Sequence, residues 1–148
     1  MTKREIILVS TTALLMSVPL AIVAHRNYQV PTLPSKAYDW QALEVITTKT
    51  GERRNLFDSP TKTLANIECH VTTLNAGVQS HAAHQHPDEE LIIIKEGIVE
   101  VLVNGELKRV GPGSVIFQAT NTLHSLKNAG DTKASYHVIR WVSSATPK

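Results

Sequence analysis

His84, His86 and Glu90 are the residues of this sequence best placed to act together. On a strand, side chains two apart point to the same face, so His84 and His86 project together and Glu90, four further on, keeps that parity. A helix would splay the two histidines apart. The local sequence favours the extended form: Pro87 biases His86 toward β dihedrals, and Ile92, Ile93 and Ile94 are β-branched. Imidazole and carboxylate groups gathered this way are metal ligands in type and spacing. Cys69 is the only cysteine, so no intramolecular disulfide forms and thiolate-rich zinc motifs are excluded. Any metal site here uses nitrogen and oxygen.

The elements that must hold these residues read as β throughout. From Leu43 onward short apolar runs alternate with turn residues, as in a sandwich or barrel, and helix signals are nearly absent. Strands are expected at Glu44–Thr48, Ile67–Leu74, Glu90–Lys95, Val99–Val103, Glu106–Val110, Ser114–Phe117, Thr122–Lys127 and Ser135–Trp141, with Gly51–Pro60 as a loop carrying Arg53, Arg54 and Phe57. Asn104-Gly105 is a strong hairpin signal, because both residues tolerate the positive φ of a type I′ turn. About eight short strands remove their exposed edges by closing on themselves, and a barrel of that size encloses a pocket for one small ligand.

Two stretches resemble the paired motifs of the cupin superfamily. His84-x-His86, three residues, Glu90, six residues and Gly97 follow the first motif, with Gly77 displaced by one position. Gly113, five residues, Ala119, Thr120, Asn121, two residues, His124, three residues and Asn128 follow the second. Ala119 and Asn121 replace its proline and glycine, and Asn121 is the ordinary residue best able to take a left-handed conformation there. The resemblance covers about residues 67–142. It implies an all-β cupin barrel, a double-stranded β-helix or jelly roll, in which His84, His86, Glu90 and His124 bind one metal ion. Three imidazoles and a carboxylate suit a divalent first-row ion and leave one or two positions for water or substrate. Manganese, iron, zinc, nickel and copper all remain open.

Other residues carry weaker signals. His81 is a candidate acid–base group at the pocket rim or a hydrogen-bond partner of the ligands; the alternative is an exposed loop histidine. Asp88 and Glu89 read as solvated at the barrel mouth, and Cys69 as a small buried residue. His70, Gln118, Tyr136, His137 and Arg140 sit on strands whose inward parity the sequence leaves open. With Tyr136, Val138 and Arg140 inward, Arg140 would be a carboxylate anchor.

The 148-residue chain is 42% hydrophobic and 19% charged, ordinary for one soluble domain, and its net charge of +2 with scattered basic residues argues against nucleic-acid binding. Residues 1–24 differ: Lys3 and Arg4 precede an uncharged stretch from Ile6 to Ala24, the pattern of an export signal. Thr2-Lys3-Arg4 loosely resembles a twin-arginine signal. Cleavage after Ala24 is one reading and an uncleaved inner-membrane anchor the other. A linker over 25–39, an N-terminal arm over 40–66, the barrel over 67–142 and a tail over 143–148 complete the expected organisation. The resemblance implies a homodimer, since the arm packs across a partner in many cupins. The functional expectation is an exported, periplasmic or envelope metal-dependent enzyme of oxygenase, isomerase or hydrolase type acting on a small polar molecule. A non-catalytic cupin that binds a small ligand or metal is the alternative.

Overall fold

The computed structural model describes residues 31–148. The proposed export segment, 1–24, and the start of the linker lie outside the described residues. A short 3-10 helix, Trp40–Ala42, precedes nine strands: β1 (Ile46–Thr47), β2 (Gly51–Ser59), β3 (Asn66–Leu74), β4 (Glu89–Glu96), β5 (Val99–Val103), β6 (Glu106–Val110), β7 (Val115–Gln118), β8 (Ser125–Asn128) and β9 (Ala134–Val142). They form a six-stranded sheet, in the order β1-β2-β3-β9-β4-β7, and a three-stranded sheet, β6-β5-β8. All pairings are antiparallel. The all-β jelly-roll expectation holds.

One segment departs from the sequence reading. Residues 51–59 are not a loop but β2, paired along β3 with a register shift between Asn55 and Phe57 that leaves Leu56 unmatched. The strand carries Glu52, Arg53, Arg54, Asn55 and Asp58, so alternation of apolar and polar residues does not mark it. Its polar side chains are held by partners instead: Arg54 donates to the Leu43 carbonyl at 2.7 Å and lies over the Trp40 ring.

The core fills the space between the sheets with Leu74, Ile92, Ile94, Val99, Val101, Ile116, Leu126, Ala134, Tyr136 and Val138. On β4 and β7 the inward positions are the even ones, so Ile92, Ile94 and Ile116 are buried. The tight corners follow the turn chemistry. Asn104 (φ 51°) and Gly105 (φ 79°) close β5 onto β6, and Asn121 (φ 54°) takes the left-handed conformation where the cupin consensus has glycine. Gly97 (φ 79°) has a different reason for lacking a side chain: a Cβ there would stand 2.7 Å from the Ala134 Cα.

Asn128 ties the closed end together. The two hydrogens of its Nδ2 are shared among the carbonyls of Leu74 (3.2 Å), Asn75 (3.0 Å) and Thr132 (2.7 Å), and its Oδ1 accepts from the Gly130 amide at 3.0 Å. The residue is wholly buried, so no water replaces those partners. Asn128→Ala should therefore destabilise the fold by about 3 kcal/mol, the cost of leaving buried backbone groups unpaired. Urea unfolding measures this; a loss within the error of wild type would mean that the carbonyls find other donors.

Candidate metal centre

The segment carrying His84 and His86 leaves β3 through a turn at Gly77 and is then laid against the chain around β8. Ser80 N donates to Leu126 O at 3.0 Å, and Asn121 N to His86 O at 2.8 Å. Between them His84 and His124 exchange both backbone hydrogen bonds, at 3.0 and 2.9 Å, which sets their rings 4.5 Å apart. His86 follows, its ring 5.4 Å from that of His84 and 4.9 Å from that of His124. One ligand nitrogen from each of the three lies within 4.8 Å of the others. Glu90, at the start of β4, brings Oε2 to 3.9 Å from His86 Nε2.

Hydrogen bonding fixes what the rings present. His86 Nδ1 lies 2.9 Å from the Asp88 carbonyl and His124 Nδ1 2.7 Å from the Thr122 carbonyl. A carbonyl only accepts, so both Nδ1 atoms carry the hydrogen and both Nε2 atoms present a lone pair. These two Nε2 atoms and His84 Nδ1 are buried and without a hydrogen-bond partner. Burial, followed by the neighbouring His81, His124 and His86, holds the His84 imidazole below its ordinary pKa and hence neutral. Lone pairs that converge with no hydrogen between them repel one another, and a cation resolves that arrangement; the Glu90 carboxylate lies beside His86 but outside the cluster of three nitrogens. The residues present fit a divalent metal ion.

The cluster opens into a cavity of about 330 Å³ lined also by Glu68, His70, Thr72, Ser80, Gln118, Tyr136 and Arg140. His81 lies on its rim, exposed, its ring 4.2 Å from that of His84. Tyr136, Val138 and Arg140 share the inward parity, but Arg140 is not free to anchor an anion. Its Nη2 donates to Glu68 Oε2 at 2.7 Å and its Nε sits 3.2 Å from Asp88 Oδ2. Asp88 and Glu89 are only partly solvated: the first pairs with Arg140 and the second accepts from Trp141 Nε1 at 2.9 Å. Cys69 is buried as expected, and burial raises its thiol pKa.

Sequence reasoning overlooked Glu68 and left Gln118 unassigned. Glu68 joins the Arg53 and Arg140 guanidiniums. Burial opposes its ionisation, yet His70 and the two guanidiniums outweigh burial and hold it below the usual carboxylate range. The available signal was parity alone, since Glu68, His70, Thr72 and Leu74 alternate toward the interior.

The Cupin domain family model matches residues 70–140. That segment has the cupin fold. Solved cupin structures superpose on the chain with low identity. An RmlC-like cupin from Shewanella frigidimarina is 15% identical with a TM-score of 0.62, over 76% of this chain and 95% of that one. The polyketide cyclase RemF from Streptomyces resistomycificus is 17% identical with a TM-score of 0.60, over 73% and 80%. A cupin-superfamily sugar phosphate isomerase from Silicibacter pomeroyi is 15% identical with a TM-score of 0.58, over 73% and 76%. At these identities the likeness concerns the fold alone. No curated protein sequence matches the chain.

His70 gives the cupin pocket a measurable pH response. Its Nδ1 lies 2.9 Å from Glu68 Oε1 but outside the angular range of a hydrogen bond. Burial, then the charge of Arg53, pushes its pKa from 6.5 down to about 4 against the pull of Glu68. The unfolded chain therefore takes up a proton between those values that the folded chain refuses, and stability is full above pH 6.5 and declines as pH falls. At pH 5 the decline from this one residue should be about 2 kcal/mol. Unfolding of metal-free protein in urea at pH 7.5 and pH 5 should show that His70→Gln loses less stability than wild type by about this amount. Equal declines in the two proteins would mean that His70 titrates as a free imidazole.

Proposed function

We propose that the protein is a metal-dependent enzyme acting on a small polar molecule, with one divalent transition-metal ion held by His84, His86, His124 and Glu90. The observation that carries the reading is the set of buried, unpartnered imidazole nitrogens facing one another beside a cavity. The isomerase and the cyclase among the structures of the same fold support catalysis as one use of such a barrel, and the fold by itself does not choose the reaction. Such an ion, when bound, polarises a substrate oxygen or activates a bound water.

The remaining work falls to the chain's own groups. His81 Nδ1 lies 3.0 Å from the Ala82 carbonyl, which makes it the donor and leaves His81 Nε2 to accept a proton. Its exposed position lets it pass that proton to solvent. Tyr136, by contrast, stays protonated: burial drives its phenol pKa far above the ordinary value, with the nearby Glu90 carboxylate adding to the effect. It serves as an O–H donor on the pocket wall. Glu90 is thus asked to hold the ion, and His81 to move the proton.

Elemental analysis of protein purified from its own cells should find about one divalent ion per chain, and the His84→Ala/His86→Ala variant should lose it. A double variant that retains one tightly held ion would overturn the ligand assignment. His81→Gln should keep the ion yet lower turnover by about 10²–10⁴-fold, the usual contribution of a general acid or base. Turnover is read as metal-dependent consumption of a compound from a small-molecule extract of the same cells. If wild-type protein carries the ion and consumes nothing, the pocket binds without catalysing.

A further inference from the structure

Among the described residues, the buried side-chain atoms without a hydrogen bond are His70 Nδ1, His84 Nδ1, His86 Nε2, His124 Nε2 and Gln118 Oε1, and all five residues line this pocket. Native proteins keep very few such atoms, and their concentration at one cavity marks where a ligand completes the bonding. The metal reading accounts for His84, His86 and His124. It does not account for His70, whose Nδ1 faces Glu68 Oε1 at 2.9 Å, or for Gln118, which has no such neighbour among the ion pairs of the wall.

Gln118 is 2% exposed, at the end of β7, directly across the ladder from Glu90. Its neighbour by parity, Ile116, belongs to the core, so the Gln118 side chain is directed inward with it. An amide oxygen only accepts, so the missing partner is a donor. The cations around the pocket already have partners. Arg53 and Arg140 both bind Glu68, Arg140 also meets Asp88, and Lys133 donates to Glu52 at 2.6 Å. An anion entering beyond the histidines meets Glu68 and Glu90 and no unpaired guanidinium. An uncharged donor meets an acceptor that lacks one.

We propose that Gln118 is the specificity-determining residue of this pocket, and that the pocket takes an uncharged small molecule whose hydroxyl or N–H group donates to Gln118 Oε1, in preference to carboxylates and phosphates. This rests on the pocket being the substrate site of the preceding section and does not depend on the metal. A buried acceptor kept without a partner costs the free protein stability, and a ligand that supplies the donor recovers it. Rejection follows from the same physics: a carboxylate or phosphate brings acceptors where the wall already presents one.

Gln118→Met removes the acceptor at nearly constant volume. Metal-free variant should melt above wild type by about 2–4 °C, because it no longer buries an unpaired oxygen. A lower melting temperature would assign Gln118 a structural role and overturn the proposal. The second arm is a fragment library in which each alcohol or amide is paired with a carboxylate or phosphate of the same skeleton. It is screened by NMR on the Gln118 side-chain amide of metal-loaded protein. Fragments that shift the resonance should be the uncharged members, and their affinities, measured by titration calorimetry in both proteins, should fall about tenfold in Gln118→Met. Anionic hits, unchanged affinities or a library without hits would each refute the assignment. The same screen on His84→Ala/His86→Ala separates the two readings. If the ion assignment has failed while alcohols still need Gln118, the metal reading falls and this one stands.

Discussion

The register of four adjacent strands is the constraint on which the rest of the molecule depends. Glu68 on β3 lies opposite Arg140 on β9, Arg140 opposite Glu90 on β4, and Glu90 opposite Gln118 on β7. These four form one row across the six-stranded sheet, all on its inner face. The next row inward is His70, Val138, Ile92 and Ile116, and the one after it holds Thr72, Tyr136 and Ile94. Because side chains alternate with period two, a slip of one residue in any of these pairings would turn a whole strand's inner set outward. The apolar rows below are what forbid the slip.

Each of the four strands is thus graded along its length, polar at one end of the barrel and apolar at the other. Leu74, Ile94, Val99, Val101 and Ala134 are almost wholly removed from solvent at the closed end, where Asn128 satisfies the backbone. The polar row at the open end is expensive to bury, and the ion pairs within it offset much of that cost without making it a net source of stability. Glu68 shared between two guanidiniums, and Asp88 on the flank of Arg140, bring the charges close to balance. The barrel therefore draws its stability from one end and exposes its chemistry at the other.

The site was readable where a spacing rule forces an outcome. His84 and His86 meet because alternate residues of an extended chain share a face, and His124 joins them where two backbone hydrogen bonds align it with His84. Asn121 and Asn104 adopt left-handed backbone because their positions demand it. Legibility ended where both faces of a strand look alike. β7 reads Val-Ile-Phe-Gln, apolar on either parity, and only pairing with β4 shows that Ile116 and Gln118 face in while Val115 and Phe117 face out. β2 was hidden by the opposite fault, polarity on both faces, and its stabilising contacts are ion pairs and carbonyls distant in sequence. The sequence left the parity of Arg140 open, and neither its inward direction nor its pairing with Glu68 was legible, because the two lie far apart along the chain.

A separation of tasks follows from that geometry. Among the described residues, the unpartnered buried atoms are confined to the wall of one cavity, whereas the Asn128 side chain at the other end is fully hydrogen-bonded. Strain that is spread over a fold weakens it everywhere; strain gathered at one mouth is relieved by whatever binds there. The open end is held by backbone pairing that does not involve its side chains, since His84 and His124 are aligned through their main-chain amides and carbonyls. Their rings are consequently positioned before any ligand arrives, and the free energy of binding is not spent on arranging them.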